Sequence, residues 1–277
     1  MTRIEIRQIY YQEGGLAQVP TCFFPLNNVD GDKSWFEFWP ILNFLNNIEM
    51  EEDVFYGFLS PRFSAKTGLT PESTIAVVEG NRNKDVILFS HKWEVLCFFL
   101  NPWEQGEVWH KGISRETQLF LDDADIDIDI RTLVTSRRSA VFSNYIVAKR
   151  EYWRRWQALA SKFMLYADDP SSGLSAKGCA YKGVEVPMKV FIQERLPSLI
   201  LSDQSLSVAT IDVNTGLTSR FFVDSPENRK RLITCDEIKD EMIQHGVTKH
   251  LMDKFENLRK RVLLAGASGL GASSVFG

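Results

Sequence analysis

The stretch that decides the fold runs from Asp85 to His110 and reads DVILFSHKWEVLCFFLNPWEQGEVWH. It begins with the short apolar run DVILFS, which is rich in residues that favour β-strands, and then passes into a polar turn at 90–92. It ends in groups that can bind ligands or move protons, namely Glu104, Gln105, Glu107 and His110. Because open α/β sheets build binding sites at the carboxyl ends of their strands, this order predicts a strand that leads into a site.

Predicted strands and helices alternate on both sides of this stretch. The strand patterns cover 4–11, 53–59, 85–90, 140–148 and 206–213. The helical patterns cover 35–47, 98–109, 114–122, 149–166 and 188–202. The alternation predicts an α/β fold with a mainly parallel mixed sheet flanked by helices. The Gly-, Ser- and Asp-rich residues 168–183 predict a long loop, of a kind that often forms a lid.

The C-terminal part has a different character. Residues 226–265 are charged and have helical periodicity, interrupted at Gly246, so they predict a helical extension. The Gly- and Ser-rich residues 266–277 predict a disordered tail. We therefore expect one α/β domain over 1–225, followed by the helical segment and the tail.

Composition excludes several classes of protein. The chain has 277 residues, of which 44% are hydrophobic and 25% are charged, as in ordinary globular proteins. The formal net charge of −4 disfavours a nucleic-acid partner, which usually requires a basic excess. The four cysteines are scattered without a CxxC pair, which disfavours a zinc site. Neither a secretory signal nor a membrane-spanning run is present, which predicts a cytoplasmic protein and leaves peripheral attachment to the inner membrane open.

Most motifs that identify an enzyme are missing from the sequence. It contains no GxGxxG, P-loop, GxSxG or HExxH motif, which disfavours oxidoreductases, kinases, esterases and zinc hydrolases. The acidic run DDADIDIDI at 122–130 lacks the glycine and the spacing of a calcium loop. It therefore predicts a solvated loop or a helix start.

Three pieces of sequence remain as candidates for a site. They are residues 85–110, the segment SNYIVAK at 143–149, and FIQERL at 191–196. The third places Glu194 and Arg195 on an otherwise apolar helix, where a buried charge is costly unless it is paired. Two interpretations stay open: an ion pair that neutralises both groups, or a site carboxylate held by its arginine.

The order of these pieces resembles bacterial capsular and O-antigen polysaccharide glycosyltransferases with a GT-A-type (Rossmann-like) fold. More narrowly, it is similar to their galactofuranosyltransferase-like group, in which a DIIL strand, a helix carrying a His, an NMFIM-like strand and a helix bearing ERL follow one another. The matching positions are 85–88, His110, 144–147 and 194–196. The segment YGFLSPRFSAKTGLT at 56–70 resembles the loop that precedes the donor half of the sheet, and the resemblance covers residues 5–210.

The resemblance implies transfer of a sugar from a nucleotide-diphosphate donor, with a UDP-sugar favoured. The acceptor would be a hydroxyl of a glycan or lipid-linked glycan in surface polysaccharide biosynthesis. A GT-A fold is compatible with either inversion or retention of the anomeric centre, and the resemblance favours inversion. Inversion requires a group that takes the proton of the acceptor hydroxyl. Glu194 is the first candidate for this base, Arg195 would position it or lower its pKa, and His110 is the second candidate.

Further roles follow from the same resemblance. The expected donor-binding residues are Asp85, Ser90, His91, Arg62 and Lys66. The expected acceptor-binding residues are Asn144, Tyr145, Trp103, Trp109 and Glu104, with a tryptophan stacking on a sugar face.

The metal requirement is open at this stage. Many GT-A enzymes hold Mn²⁺ or Mg²⁺ with a DxD motif, and no DxD ends a predicted strand in this sequence. The metal is either bound differently or replaced by cations, for which Arg62 and Lys66 are candidates. The same departure supports an alternative function, a non-catalytic glycan- or nucleotide-sugar-binding module of a polysaccharide assembly complex whose C-terminal helix docks a partner.

Overall fold

The computed structural model of the chain describes residues 3–90, 92–181, 183–211 and 225–267. The strands are β1 Arg3–Tyr10, β2 Phe24–Asn27, β3 Val54–Leu59, β4 Val86–Leu88, β5 Ile146–Ala148, β6 Gly178–Tyr181, β7 Val184–Pro187 and β8 Val208–Thr210. The helices are α1 Phe38–Asn46, α2 Phe63–Thr67, α3 Pro71–Gly80, α4 Trp93–Phe98, α5 Pro102–Trp109, α6 Ile113–Asp123, α7 Arg150–Asp168, α8 Met188–Gln193, α9 Leu196–Leu201, α10 Pro226–His245 and α11 Lys249–Ala267.

One mixed sheet organises these elements. Among the described residues it has six strands in the order β2-β1-β3-β5-β4-β8. Strand β5 runs antiparallel to β3 and β4, whereas the other neighbouring pairs are parallel. The carboxyl ends of β1, β2, β3, β4 and β8 therefore lie at one edge, together with the start of β5. We call this the carboxyl edge and the opposite one the amino edge.

The sheet is covered on both faces, which explains its apolar strands. All six residues of β3 are buried, as expected for a central strand with helices on both sides. Ile146 packs in the core cluster that includes α1, α7, α8 and α9. The next residue, Val147, packs on the other face with residues of α2 and α3. These observations confirm the predicted α/β fold with a mainly parallel mixed sheet flanked by helices.

Two predicted elements have different bounds in the structure. The strand predicted over 140–148 is reduced to β5, because the backbone of Val141 exchanges hydrogen bonds of 2.7 and 3.1 Å with the hydroxyl of Ser198 and so packs on α9. The helix predicted over 188–202 is divided into α8 and α9, with Glu194 and Arg195 at the junction.

The region predicted as a loop contains a β-hairpin. Residues 168–183 include the end of α7, a short 3₁₀ turn and strand β6, which pairs antiparallel with β7. Met188 N, at the start of α8, donates to Lys177 O over 2.9 Å, which ties the hairpin to that helix. Regular β-structure therefore precedes Glu194 where the sequence predicts a loop.

The C-terminal extension is a helical hairpin that packs on the rest of the chain. Helices α10 and α11 meet near Gly246, which has a φ of 88°, so the predicted break is confirmed. The buried ammonium group of Lys239 donates to the carbonyls of Leu96 and Phe99, at the end of α4. Residues 268–277 of the predicted tail lie outside the described residues. Among the described helices, none has the length and apolar character needed to cross a membrane.

Candidate functional site

Polar side chains collect at the carboxyl edge because chain segments leave or enter the sheet there. Tyr11 follows β1, Asn28 follows β2, and Ser60 follows β3. Ser90 lies just beyond β4, and Tyr145 immediately precedes β5. The antiparallel direction of β5 is what brings Tyr145 to this edge instead of the amino edge.

Ser60, Tyr145, Lys66 and Glu37 form a polar network at this edge. The hydroxyl oxygens of Ser60 and Tyr145 are 3.0 Å apart, and Lys66 Nζ lies 5.4 Å from the centroid of the Tyr145 ring. Burial acts to lower the pKa of Lys66, but Tyr145, Glu37 and Glu194 outweigh it and raise that pKa. Burial also raises the pKa of Glu37, against the opposing effects of Lys66 and Ser60. The cation of this network, Lys66, thus interacts with two carboxyl groups, Glu37 within the network and Glu194 beside it.

Glu194 is the carboxyl group of this region that is best suited to proton transfer. Burial, together with the charge of Glu37, raises its pKa from 4.5 to about 7, although Arg195, Lys66 and Lys92 act in the opposite direction. Lys66 follows β3 and Lys92 follows β4. Glu194, at the junction of α8 and α9, therefore interacts with cations that follow two strands of the sheet. A carboxyl group with a pKa near neutrality can exchange a proton with a substrate at physiological pH.

Arg195 is held by groups other than Glu194. Its buried guanidinium donates to Pro102 O over 2.8 Å, to Phe191 O over 2.7 Å and to Gln105 Oε1 over 2.6 Å. Burial lowers the pKa of Arg195 to about 10, while Glu194 opposes the shift. Gly106 permits this packing, because a Cβ atom there would lie 3.3 Å from the guanidinium and 2.8 Å from Ile113. Arg195 therefore joins α5 to the junction and acts on Glu194 through its charge.

His110, the second candidate base, is buried against the same junction. Its ring stacks on Phe191 with a centroid separation of 3.6 Å, and Nδ1 lies 3.5 Å from Cys179 Sγ. Burial and then the charge of Arg195 lower the pKa of His110 to about 4. The imidazole is thus neutral near pH 7, where Glu194 is better matched to accept and release a proton.

Several residues expected at the site lie elsewhere. Asp85 is at the amino edge, where it accepts hydrogen bonds from Ser207 N over 2.9 Å and Ser207 Oγ over 2.6 Å. Trp103 is fully buried and donates to Thr117 Oγ1 over 2.9 Å, so its ring cannot stack on a sugar. Glu104 binds Arg259 at 2.6 Å, which links α5 to α11. The structure does not bring these three side chains into the network.

The remaining expected residues are placed as follows. Asn144 is buried beside Tyr145 at the start of β5, and Arg62 is exposed at the start of α2, with its backbone N–H donating to Ser60 Oγ over 3.3 Å. Trp109 is 43% exposed and contacts the ring of Phe99. Ser90 lies at the carboxyl edge, and His91 lies outside the described residues.

Sequence reasoning missed Glu37 and Tyr11. Glu37 is the single carboxylate in the aromatic segment WFEFWP at 35–40. The argument applied to Glu194, that an acidic group among apolar residues needs an explanation, would also have selected it. Tyr11 interacts with both Glu37 and Tyr145, but burial is the largest cause that raises its pKa. No signal in the sequence connects Tyr11 with residues so distant along the chain.

The described residues do not fit a Mn²⁺ or Mg²⁺ site. These ions prefer ionised carboxylates and other oxygen ligands. Glu37 and Glu194 are two carboxyl groups, and both interact with the ammonium group of Lys66. Within the described ranges, no three His, Cys, Asp or Glu side chains come together as a metal site.

Comparison of the chain with protein-family models, with curated proteins and with solved structures finds no match.

Proposed function

We propose that the chain is a glycosyltransferase that moves a sugar from a nucleotide-diphosphate donor, with a UDP-sugar favoured, to a hydroxyl of a glycan acceptor. The observation that carries this proposal is the polar network at the carboxyl edge of an open α/β sheet, in which Lys66 Nζ lies 5.4 Å from the centroid of the Tyr145 ring and interacts with Glu194, whose pKa burial raises to about 7. The order of motifs that resembles polysaccharide glycosyltransferases supports it. The finer assignments of a GT-A fold and of surface polysaccharide biosynthesis belong to the same proposal.

In this mechanism Glu194 removes the proton from the acceptor hydroxyl as that oxygen attacks the anomeric carbon of the donor. A base with a pKa near the working pH is both available in its ionised form and strong enough to take the proton. Attack by an acceptor activated in this way, on the side opposite the leaving group, inverts the anomeric centre. Glu37 supports the role because its charge raises the pKa of Glu194.

The leaving nucleotide diphosphate needs positive charge, which Lys66 supplies in this proposal. Lys66 lies on α2, directly after the central strand β3, and its pKa is raised, so it stays protonated. Arg62 at the start of the same helix is the second cation. Charge-assisted hydrogen bonds from such groups stabilise the charge that develops on the departing diphosphate. Asn144 and Tyr145, at the start of β5, would line the acceptor side.

A thermal-shift screen tests the donor half of the proposal. UDP, GDP, CMP and dTDP are each added with and without Mn²⁺, because a ligand that binds the native state raises Tm by mass action. We expect a shift with one nucleotide, UDP first, and we expect the shift to persist without Mn²⁺. If no nucleotide raises Tm, the proposal is wrong.

The alternative, a binding module that performs no chemistry, gives a different result in a second assay. Wild-type protein is incubated with the nucleotide sugar that binds, and release of free nucleotide is followed with and without a glycan acceptor. Turnover supports the transferase. Saturable binding without transfer or hydrolysis supports the binding module.

A further inference from the structure

Phe36 has a backbone conformation that normally belongs to glycine. Its φ is 49° and its ψ is −122°, between the 3₁₀ turn Lys33–Trp35 and helix α1. A side chain in this region is strained, since the Cβ atom crowds the backbone. The turn is held in place because Asn28 Nδ2 donates to Phe36 O over 3.0 Å. A glycine would satisfy the same turn without strain.

The phenyl ring of Phe36 does not contribute to the core. Phe36 is 46% exposed, whereas the nearby Trp35 and Phe38 are buried in the main core cluster. Neither the turn nor the packing therefore requires an aromatic side chain at this position. Strained residues that the fold does not need are often found at ligand sites.

The position of Phe36 connects it with the candidate site. It immediately precedes Glu37, which interacts with Ser60, Lys66 and Glu194. Tyr11, which is 37% exposed, also interacts with Glu37. The hydrogen bond from Asn28, which follows β2, to Phe36 O places Phe36 at the carboxyl edge, next to the carboxylate that interacts with the proposed base and the proposed diphosphate cation.

We infer that the ring of Phe36 stacks on a ring of the nucleotide sugar bound at the carboxyl edge. This inference rests on the proposed function and adds a binding residue to it. Either the nucleobase or the donor sugar would provide the flat face of an uncharged ring on which Phe36 stacks. Stacking of a base or sugar face on an aromatic ring stabilises a complex without any hydrogen bond from the side chain.

The test compares three substitutions at Phe36 with a matched control. Phe36→Ala and Phe36→Gly remove the ring, and Phe36→Tyr keeps it. Phe24→Ala is the control, because Phe24 is 47% exposed on β2 and its ring instead contacts Arg7, whose guanidinium carbon lies 5.2 Å from the ring centroid. Dissociation constants are measured by calorimetry for UDP, UDP-glucose and inorganic pyrophosphate.

If the ring stacks on the base, the Ala and Gly variants should bind UDP about five-fold or more weakly than wild type. If it stacks on the sugar, UDP affinity should be unchanged and UDP-glucose affinity should fall instead. In both cases Phe36→Tyr and Phe24→Ala should bind as wild type does. Pyrophosphate, which has no ring, should bind equally to all variants.

Thermal unfolding separates strain from folding defects. Phe36→Gly should melt about 2 °C or more above Phe36→Ala, because only glycine relieves the left-handed backbone. The Gly variant therefore combines a stable fold with weakened binding. Wild-type affinity of both the Ala and Gly variants for UDP and UDP-glucose would overturn the inference and leave the proposed function standing. Failure of wild-type protein to bind any nucleotide would remove both.

Discussion

The pKa values of carboxyl groups are raised at the carboxyl edge of the central sheet and lowered at its amino edge, as Glu194, Glu37 and Asp85 show. At the carboxyl edge, burial raises the pKa of Glu194 to about 7 and also raises that of Glu37. At the amino edge, burial alone would raise the pKa of Asp85, but hydrogen bonds from Ser207 and the charge of Lys149 lower it. Lys149 Nζ lies 3.5 Å from the Asp85 carboxylate.

This difference separates a structural role from a chemical one. Asp85 is ionised and has direct partners that join the start of β4 to the residues before β8. Glu194 and Glu37 are carboxyl groups in surroundings that disfavour their charge, close to a cation that a bound anion would also attract. A protein tolerates such unfavourable groups where a ligand or a reaction needs them.

The largest expected effect comes from removing the proposed base. Glu194→Gln keeps the shape of the side chain but cannot accept a proton, so transferase turnover should fall by about 10²- to 10⁴-fold. Affinity for UDP should stay the same within about two-fold, since the amide does not alter the diphosphate contacts. Asp85→Asn is the matched substitution at the amino edge, and its turnover should equal that of wild type. Steady-state kinetics with the nucleotide sugar found in the binding screen measures both.

The pH profile gives an independent check of the same assignment. Because Glu194 must be ionised to act as a base, kcat/KM should rise as pH increases and level off above about 7. An equally large loss of turnover in Asp85→Asn would return Asp85 to the donor role that the sequence implied. Full activity of Glu194→Gln would exclude Glu194 as the base.

The second effect concerns stability and has opposite signs at the two edges. The folded-state pKa of Glu194 is raised from 4.5 to about 7, so the stability that the protonated group provides below pH 4.5 is lost as pH rises towards 7. At pH 8 Glu194→Gln should thus be more stable than wild type by up to about 3 kcal/mol, and the difference should nearly vanish at pH 4.5. Urea unfolding at both pH values measures this difference.

Asp85→Asn is the control with the opposite sign. The folded-state pKa of Asp85 is lowered, so its contribution to stability is present above its ordinary value of 3.8 and is lost as pH falls through the folded-state value. The variant should therefore be less stable than wild type at pH 8. Equal signs for the two variants at pH 8 would contradict the comparison between the edges.

The third effect is on ligand affinity. Lys66→Met should weaken UDP binding by about ten-fold or more, since a hydrogen bond to a charged group typically contributes about 1.5–3 kcal/mol. It should also move the midpoint of the kcat/KM profile to higher pH, because the charge of Lys66 lowers the pKa of Glu194. Lys84→Met, just before β4 at the amino edge, should change neither quantity. If the midpoint does not move, Lys66 does not act on the group that titrates.

The sequence predicted the fold well where one pattern determined one element. The buried strand β3 and the amphipathic helix α7 have strong periodic patterns, and both are present. The prediction was wrong for 140–145, where the backbone of Val141 bonds to the hydroxyl of Ser198 instead of to a neighbouring strand. Intrinsic propensity cannot anticipate such a tertiary partner.

The site was predictable only in part, and for a physical reason. Glu194 and Tyr145 could be selected because polar groups stood out at the end of apolar segments. Asp85 is also a polar group next to an apolar segment, but it precedes strand β4 instead of following it. It therefore lies at the amino edge. Trp103 and Glu104 also depended on tertiary packing, since helix α5 directs one into the core and the other towards α11.

The smallest expected effect concerns the C-terminal hairpin. Glu104 accepts hydrogen bonds from Arg259 and, over 2.5 Å, from Leu100 N, while Arg259 also binds Glu256 at 2.7 Å. Because these side chains are partly exposed, Glu104→Gln should lower the free energy of unfolding by only about 1 kcal/mol. Arg259→Met should have a similar effect, and the double variant should lose less than the sum if the two side chains interact. Urea unfolding of the wild type, the two single variants and the double variant provides this double-mutant cycle. The KM for the acceptor, measured in parallel, should stay constant. A raised KM in Glu104→Gln alone would show that Glu104 reaches the acceptor, which would extend the site from the carboxyl edge towards α11.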